Sequence, residues 1–520
     1  MGNGDGSSLD QRGVDRRAFM AGAVATVVVA ACSSGGDDDD QSGSDGGSPA
    51  STAPLAALPG QLRPEDVPDE ETIFGWIDEV FGQGVRRPGY DADVWVEGFL
   101  EDRFRELGLE NVRLEPVQVT RWEPREWSLE VTPQGGETRT LDSFPLPYSA
   151  PVDELDVELV AFDEANPGAV AGKASFAAEE LLRLAPTAFV AGGSAPAETA
   201  DRVIDPDGTF EGAEHVLPFG SHLQDVMEPA IDAGAAAFIG SLVNYPGDSY
   251  QYMVPYDGVA RPIPGVWIRG SDGEWLRDQL AAGPVRIKLR IDSTAEPFES
   301  NNVVGELPGA DDQVVMIGSH HDGPWASAVE DGSGISLVLA QATFWAAQPV
   351  EQRPHRLVFL LHAGHMSGGA GLLRYIEDHR AELDDVVLEL HLEHAALEFE
   401  EVDGGLVSAE RCVPRWFFVS RIPPLEQAVI DALTSEELSR SMLLAPDAIG
   451  SQPPTDGAFY HNEGVPIVHF LEAPFYLFDE MDQLDKIDRE NLVPLTRAAI
   501  RIVDSTRGVS AADMRAGLEA

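Results

Sequence analysis

Cysteine and basic residues are scarce in this chain. It has two cysteines, Cys32 and Cys412, in 520 residues, so the fold cannot depend on a disulfide framework. Lys and Arg total 35 against 89 Asp and Glu, which gives a formal net charge of −54. A surface this acidic repels nucleic-acid phosphates and anionic lipid headgroups, so we expect neither as a partner. Hydrophobic residues still make up 43% of the chain, enough for a large core and more than one domain.

The apolar run near the N-terminus, 18–31, is too short to span a bilayer. It follows Arg16 and Arg17 and ends at Cys32 in a sequence that resembles a bacterial lipobox. This pattern predicts a twin-arginine lipoprotein signal over 1–32, with a lipid on Cys32, then a disordered linker over 33–62. We expect the folded part to be exported and anchored on the outer face of the cytoplasmic membrane by that lipid alone. The alternative is an ordinary signal peptide with a chance cysteine.

The rest of the chain divides into two regions that differ in their predicted pattern of strands, helices and turns. Between 151 and 297 short strands alternate with Gly/Pro turns, and one unit reads helix, Gly234, then strand. From Asn301 onward strands and helices alternate, which predicts a doubly wound α/β fold with a mostly parallel sheet. Ligands of such sheets bind at the carboxyl ends of the strands.

The segment 151–297 resembles a protease-associated domain. The similarity lies in the runs 232–240 and 263–268 and in Asp272-Gly273, which opens a helix. The resemblance implies a β-rich insert that shapes substrate access and carries no chemistry. It divides the remaining chain into 63–150 and 298–510, which together form the main α/β domain.

Two short motifs carry the chemistry. His320 and Asp322 follow an apolar strand, and a His with a nearby carboxylate is a common ligand-and-orienter pair. Glu330-Asp331-Gly-Ser-Gly then opens a helix, and 301–309 precedes both motifs. Together they resemble the zinc-dependent aminopeptidase and carboxypeptidase family, which includes leucyl aminopeptidases, glutamate carboxypeptidase and the catalytically silent transferrin receptor. The likeness covers about residues 70 to 505 and implies a peptidase fold with zinc.

The resemblance also implies a ligand set. The family's first zinc takes a His, a bridging carboxylate and a strand-end carboxylate, which fall on His320, Glu330 and Glu393, with Asp322 orienting His320. All are competent ligands, since one His and two carboxylates make a catalytic type of zinc site.

The rest of the family pattern is altered. The catalytic Glu falls on Gly364, its neighbouring zinc ligand on His365, and the late His ligand on Phe478, which cannot coordinate an ion. We therefore expect at most one tightly bound zinc ion, with the second site doubtful.

A general base must then come from elsewhere. His365, His362 and Asp331 are candidates, and an imidazole suits neutral pH better than a carboxylate does. His391 and Asp456 are further site candidates, since His391 shares a strand face with Glu393, and 455–468 resembles the family's substrate-pocket segment. The same alternation points His394 the other way, which makes it a weaker candidate. His461 or His469 could replace the late ligand, and no spacing argument selects one.

Three functions remain open. The first is a metal-dependent exopeptidase or amide hydrolase acting on a peptide or acyl-amino-acid substrate. The second is an inactive family member that acts as a binding or scaffold protein, and the third is an extracytoplasmic metal-binding protein. The sequence leaves the oligomeric state and the substrate specificity open.

Overall fold

A computed structural model describes residues 57–188, 190, 202–220, 223–448 and 452–518. The predicted signal residues Arg16, Arg17 and Cys32 lie outside these ranges, so the lipid anchor stays a prediction. No helix within the described ranges combines the length and the hydrophobicity needed to cross a membrane.

Eighteen strands are defined in the described residues. They are β1 (Glu110–Pro133), β2 (Arg139–Leu141), β3 (Ser143–Pro145), β4 (Val152–Ala161), β5 (Ala174–Leu184), β6 (Val203–Ile204), β7 (His215–Gly220), β8 (Ala237–Val243), β9 (Gly265–Ile268), β10 (Val285–Leu307), β11 (Val314–His320), β12 (Arg356–His362), β13 (Val386–Leu392), β14 (Leu397–Val402), β15 (Gly405–Cys412), β16 (Arg415–Val419), β17 (Ser441–Leu444) and β18 (Ile467–Glu472).

Ten α-helices accompany them in the same residues. They are α1 (Glu70–Phe81), α2 (Asp91–Glu106), α3 (Leu223–Asp232), α4 (Gly270–Ala282), α5 (Gly334–Ala347), α6 (Ala370–Asp378), α7 (Pro423–Ser435), α8 (Gly457–Asn462), α9 (Leu492–Ser505) and α10 (Ala511–Leu518).

Sixteen of the strands form one twisted sheet, in the order β3-β9-β8-β5-β4-β10-β12-β11-β13-β18-β16-β17-β6, with β1, β2 and β7 paired at its sides. At its centre β12, β11, β13 and β18 run parallel to one another. Alternate residues of β11 enter different cores: Val315 and Ile317 pack with α5 and α9, whereas Met316 packs with α6 and α8. Helices therefore cover both faces of the sheet, and the predicted doubly wound α/β fold is confirmed.

The first helix shows how local sequence sets an element. Asp69 caps α1 by accepting a hydrogen bond from the Thr72 N–H at 2.9 Å. Ile73, Ile77 and Val80 recur at helical spacing and are fully buried. This helix packs against α5 and against the loop before it, which carries the predicted ligand Glu330.

Two predicted boundaries are corrected by the structure. Leu58 and Leu62, placed in the disordered linker, are buried in the main core, so the packed chain begins earlier than predicted. The boundary between 297 and 298 falls inside β10, a single strand that pairs with β4 at one end and with β12 at the other. The segment 151–297 thus extends the main sheet, and its identity as a protease-associated domain stays a prediction.

Candidate metal centre

The carboxyl ends of the central strands bring four imidazoles onto one sheet face. His320, the last residue of β11, lies opposite His362, the last residue of β12. One step deeper, His391 of β13 lies beside Gly318 and opposite His469 of β18. All four side chains are buried. The parallel register, rather than proximity in the sequence, therefore gathers these residues.

The loop side chains complete a cluster that we call the outer set: His320, Glu330, His365 and His394. Glu330 lies at its centre, with Oε1 3.5 Å from Nε2 of both His320 and His365. Its other oxygen, Oε2, lies 2.6 Å from Nε2 of His394. The rings of His320 and His365 stack with centroids 4.0 Å apart. Three imidazoles thus present the same nitrogen to one carboxylate.

Hydrogen bonds set the tautomer of each imidazole in the outer set. In every case Nδ1 faces an oxygen that can only accept, so Nδ1 carries the hydrogen and Nε2 keeps its lone pair when the ring is neutral. The acceptors are the Asp322 carbonyl for His320 at 2.9 Å, the Asp456 carboxylate for His365 at 2.9 Å and the Glu472 carbonyl for His394.

These residues fit a zinc ion. Within the described ranges, Nε2 of His320 and Oε1 of Glu330 are buried without a hydrogen-bond partner, and Nε2 of His394 faces Oε2 of Glu330. Imidazole nitrogen and carboxylate oxygen are the ligands that zinc takes, and buried atoms without partners are costly. The three residues each offer a ligand atom within 4.8 Å of the others.

The predicted ligands Glu330 and Glu393 fall into different groups. Glu330 shares its group with His320 and His394, whereas Glu393 shares one with His320 and His365. His320 belongs to both groups but has one free nitrogen, because its Nδ1 is committed to the Asp322 carbonyl. The two groups can therefore not both use His320 for separate ions.

His394 corrects an expectation drawn from strand alternation. It was predicted to point away from the site, yet its imidazole contacts Glu330. The reason is that β13 ends at Leu392 and His394 has a φ of 64°, so the alternation of the strand no longer applies.

Asp322 also acts differently from the prediction. Its main-chain carbonyl, not its carboxylate, orients His320. The carboxylate instead accepts hydrogen bonds from the N–H groups of His365 at 2.9 Å and Met366 at 2.8 Å. Asp322 therefore holds the loop that carries His365, and burial followed by the nearby Asp93 raises its pKa.

The family position of the catalytic glutamate has no room for a side chain. Gly364 has a φ of +71°, and a Cβ there would lie 2.9 Å from Cγ1 of Val119. At the next residue of the same loop, His365, the imidazole reaches Glu330. Burial alone would lower the pKa of His365, but the charges of Asp456 and Glu330 outweigh it and raise the pKa to about 10. Tyr256 stacks on the other side of this ring, with centroids 5.3 Å apart.

Some of the remaining predicted residues form a second group of possible metal ligands, and the others serve the packing of the fold. His362, His391 and Asp456 form a second group, with ligand atoms within 4.8 Å of one another. Asp331 does not join either group. Its carboxylate accepts hydrogen bonds from Ser319 Oγ and from the Gly334 N–H, which fixes the start of α5. Phe478, at the family's late-ligand position, is buried with its ring 4.8 Å from that of Tyr256.

Two supporting residues were missed from the sequence. Arg86, fully buried, donates to main-chain carbonyls of the loop around Glu330; these belong to His321, Ala326, Ser327 and Glu330. Asp482 accepts from the N–H groups of Val329 at 2.8 Å and Glu330 at 2.9 Å. Arg86 lies more than two hundred residues from the loop that it holds, so no local pattern could indicate its role.

The imidazole of His321, the residue after His320, links β11 to α2 and β10 rather than joining the outer set. Its two ring nitrogens contact Asp93 Oδ1 at 2.8 Å and the Asn301 carbonyl at 2.9 Å. Burial lowers the pKa of His321, but Asp93 more than compensates and raises it to about 9.

Residues 302–503 match the model of Peptidase family M28. Among curated proteins, carboxypeptidase Q of Mus musculus is 23% identical over 291 residues, which cover 53% of this chain and 54% of that protein. Probable leucine aminopeptidase 2 of Aspergillus fumigatus is 35% identical over 123 residues, covering 21% of this chain and 23% of that protein. The chain thus spans about half the length of the first of these relatives and less of the second.

Solved structures share the fold. A peptidase M28 precursor from Shewanella amazonensis superposes with a TM-score of 0.63 at 20% identity, covering 83% of this chain and 92% of that one. A zinc aminopeptidase from Bacillus subtilis gives a TM-score of 0.59 at 18% identity, covering 84% of this chain and 95% of that one. The family match and the shared fold confirm the predicted resemblance to the zinc-dependent aminopeptidases.

Proposed function

Because residues 302–503 match Peptidase family M28, we propose that this chain is a zinc-dependent exopeptidase or amide hydrolase with one ion in the outer set. The substrate class is a peptide or an acyl-amino acid. The observation that carries the proposal is the convergence of three fixed imidazoles on the buried carboxylate of Glu330.

The ion would be held by His320, Glu330 and His394. We favour His394 over the predicted Glu393 because its free Nε2 already faces Glu330. Glu393 instead lies 3.2 Å from Nε2 of both His391 and His469. Two imidazoles and one carboxylate with an open position form a catalytic type of zinc site, and such an ion would polarise a substrate carbonyl.

His365 is the proposed general base. Without an ion the carboxylates raise the pKa of His365, and a cation on Glu330 would oppose that effect. His365 would then donate Nδ1–H to Asp456 and keep Nε2 free to take a proton from an attacking water. Asp456 keeps the ring oriented and stabilises the imidazolium that forms, as the carboxylate does in other carboxylate–imidazole pairs. The Asp322 carboxylate holds the loop that carries the base by accepting hydrogen bonds from the main-chain N–H groups of His365 and Met366.

The segment 151–297 would shape access to the base. Tyr256 stacks on His365, and the Asp257 main chain pairs with Ser367 in the same loop. From outside that segment, Tyr148 donates its hydroxyl to the Met366 carbonyl at 2.9 Å.

We also propose that the enzyme works outside the cytoplasmic membrane. This rests on Arg16, Arg17 and Cys32 of the predicted twin-arginine lipoprotein signal, which would anchor the chain by lipid on the outer face. Radiolabelled palmitate incorporated into the wild type but not into Cys32→Ala would support it. An unlabelled wild type would overturn it.

The main rival is an inactive family member that binds a partner without turnover. Hydrolysis of a panel of aminoacyl amides and acyl-amino acids by the zinc-loaded chain separates the two functions. We expect turnover in the wild type and its loss in His365→Asn with zinc content retained. Zinc bound without turnover on any panel member would leave a metal-binding protein, and neither zinc nor turnover would leave a scaffold.

A further inference from the structure

A second polar group lies behind the outer set, and the proposed hydrolysis uses only part of it. We call His362, His391 and Asp456 the inner set; each offers a ligand atom within 4.8 Å of the others. All three are essentially fully buried, on the sheet face covered by α8. We propose that the inner set binds a second divalent cation of the zinc class.

The hydrogen bonds around His391 leave it ready to be a ligand. Its Nδ1 lies 3.0 Å from Oε1 of Glu389, and a carboxylate can only accept, so Nδ1 carries the hydrogen. Nε2 is then the free nitrogen, oriented by a carboxylate as metal-binding imidazoles commonly are.

The other inner atoms need a partner as well. Within the described residues, Nδ1 of His362 and Oδ1 of Asp456 are buried without a hydrogen bond, whereas Nε2 of His362 lies 2.8 Å from Oδ2 of Asp456. Oδ2 of Asp456 is committed to His365. A cation between His362, His391 and Asp456 would take one ligand atom from each of these residues and would lower the cost of burying them.

The negative charge of the buried carboxylates around the inner set also favours a bound cation. Three buried carboxylates, those of Glu389, Glu393 and Asp456, form their ion pairs only with imidazoles in the described part of the chain. Elsewhere this fold neutralises buried carboxylates with arginine, as where Arg415 lies 3.0 Å from Glu472. Buried carboxylates need a positive partner, and a divalent cation supplies one where arginine is missing.

His469 is excluded as a ligand, which limits the site to the inner set. The Gly457 N–H donates to Nδ1 of His469 at 3.0 Å, so that nitrogen is an acceptor. The hydrogen of the neutral ring therefore lies on Nε2, which faces Glu393 at 3.2 Å. His469 donates to Glu393 and has no lone pair left for an ion.

This ion is not the family's second zinc, whose late ligand position is Phe478, and it adds to the single ion predicted from the sequence. Its rival is a proton on His391, shared between Glu389 and Glu393. Anomalous diffraction distinguishes the two occupants, because a zinc ion gives a peak at the zinc absorption edge and a proton gives none.

The test uses the folded chain stripped with a chelator and reloaded with zinc. Anomalous diffraction at the zinc edge should give one peak in the outer set and another between His362, His391 and Asp456. Elemental analysis should find two ions per wild-type chain and one in His391→Asn, whose amide can still donate to Glu389. His362→Asn provides a second test of the same site should His391→Asn fail to fold.

Matched variants keep this result separate from the proposed hydrolase. His320→Asn should lose only the outer ion, and His355→Asn should keep both, since His355 is equally buried but lies between Asp311 and the Thr506 carbonyl. One wild-type peak confined to the outer set, or full zinc content in both His391→Asn and His362→Asn, would overturn the inner site. Full content and activity in His320→Asn would overturn the outer site instead.

Discussion

The two halves of the main sheet share the same parallel strand geometry but differ in the residues that they bury. In one half β5, β8 and β9 run parallel, and Ile239 and Val266 lie in an apolar core on one face of these strands. In the other half β11, β12, β13 and β18 also run parallel, but one buried face carries imidazoles and carboxylates. Parallel strands alone therefore do not make a site. The buried polar groups do, because their desolvation must be compensated by hydrogen bonds or by an ion.

The largest expected effect separates two neighbours in the polar half. His394→Asn should lose the outer ion and bring hydrolysis down by more than about 100-fold, since even outer partners of metal ligands are worth 10–100-fold. Glu393→Gln should keep that ion, because the outer group of His320, Glu330 and His394 stays complete. Zinc content and kcat/KM measured together check both variants. The reverse order of losses would return the third ligand role to Glu393.

The next effect tests the base without disturbing the ion. His365→Asn should lower kcat by about 10²- to 10⁴-fold, the range for losing a positioned acid or base. Outer zinc content should be unchanged, because His320, Glu330 and His394 remain. Asp456→Asn should lower kcat less than His365→Asn does, since it orients the base rather than moving the proton. A zinc loss equal to the activity loss in His365→Asn would make that residue a ligand instead.

In the apolar half, a core truncation should change stability and nothing else. Ile287 of β10 is 1% exposed in the core shared by β4, β5 and β8. Ile287→Ala should lower the free energy of unfolding by about 2–5 kcal/mol through lost burial and a cavity. Denaturant titration measures the change, and zinc content at low denaturant should equal that of the wild type. Zinc loss in this variant would show that the halves are coupled.

The junction between the halves should respond to acid. His215 of β7 packs edge-on against Trp416 of β16, and burial lowers the pKa of His215 to about 4. The unfolded imidazole titrates near its ordinary value of about 6.5, so below that pH the unfolded state binds the proton first. The contribution of His215 to the free energy of unfolding is therefore constant above about pH 6.5 and falls by up to roughly 3 kcal/mol as the pH drops toward 4. His215→Gln should flatten the pH dependence of the unfolding free energy in that window, and an unchanged slope would contradict the assignment.

The smallest effect is expected on the surface of the apolar half. The Arg286–Asp156 pair, at 2.7 Å, has both side chains more than half exposed. Arg286→Ala should change the unfolding free energy by no more than about 1 kcal/mol, because water screens exposed pairs. A larger loss would show that this edge of the sheet depends on the pair.

How much the sequence could predict follows the same division. Alternating strands and helices predicted the doubly wound sheet, because apolar periodicity reflects burial directly. The motifs around His320 and Glu330 predicted where the cluster would form. His394 was ranked as a weaker candidate because the strand alternation was extended past the end of β13, where it stops. Arg86 was missed because its carbonyl acceptors are distant in sequence. Contacts set by loop geometry and by long-range packing leave no periodic signal.

The most direct test of the account is a zinc titration of the metal-stripped chain, followed by the initial rate on the responsive panel substrate. We expect no hydrolysis before zinc, a rate that rises with occupancy of the outer site, and no recovery in His320→Asn. Full occupancy of that site, shown by zinc-edge diffraction, with no hydrolysis of any panel substrate would contradict the hydrolase.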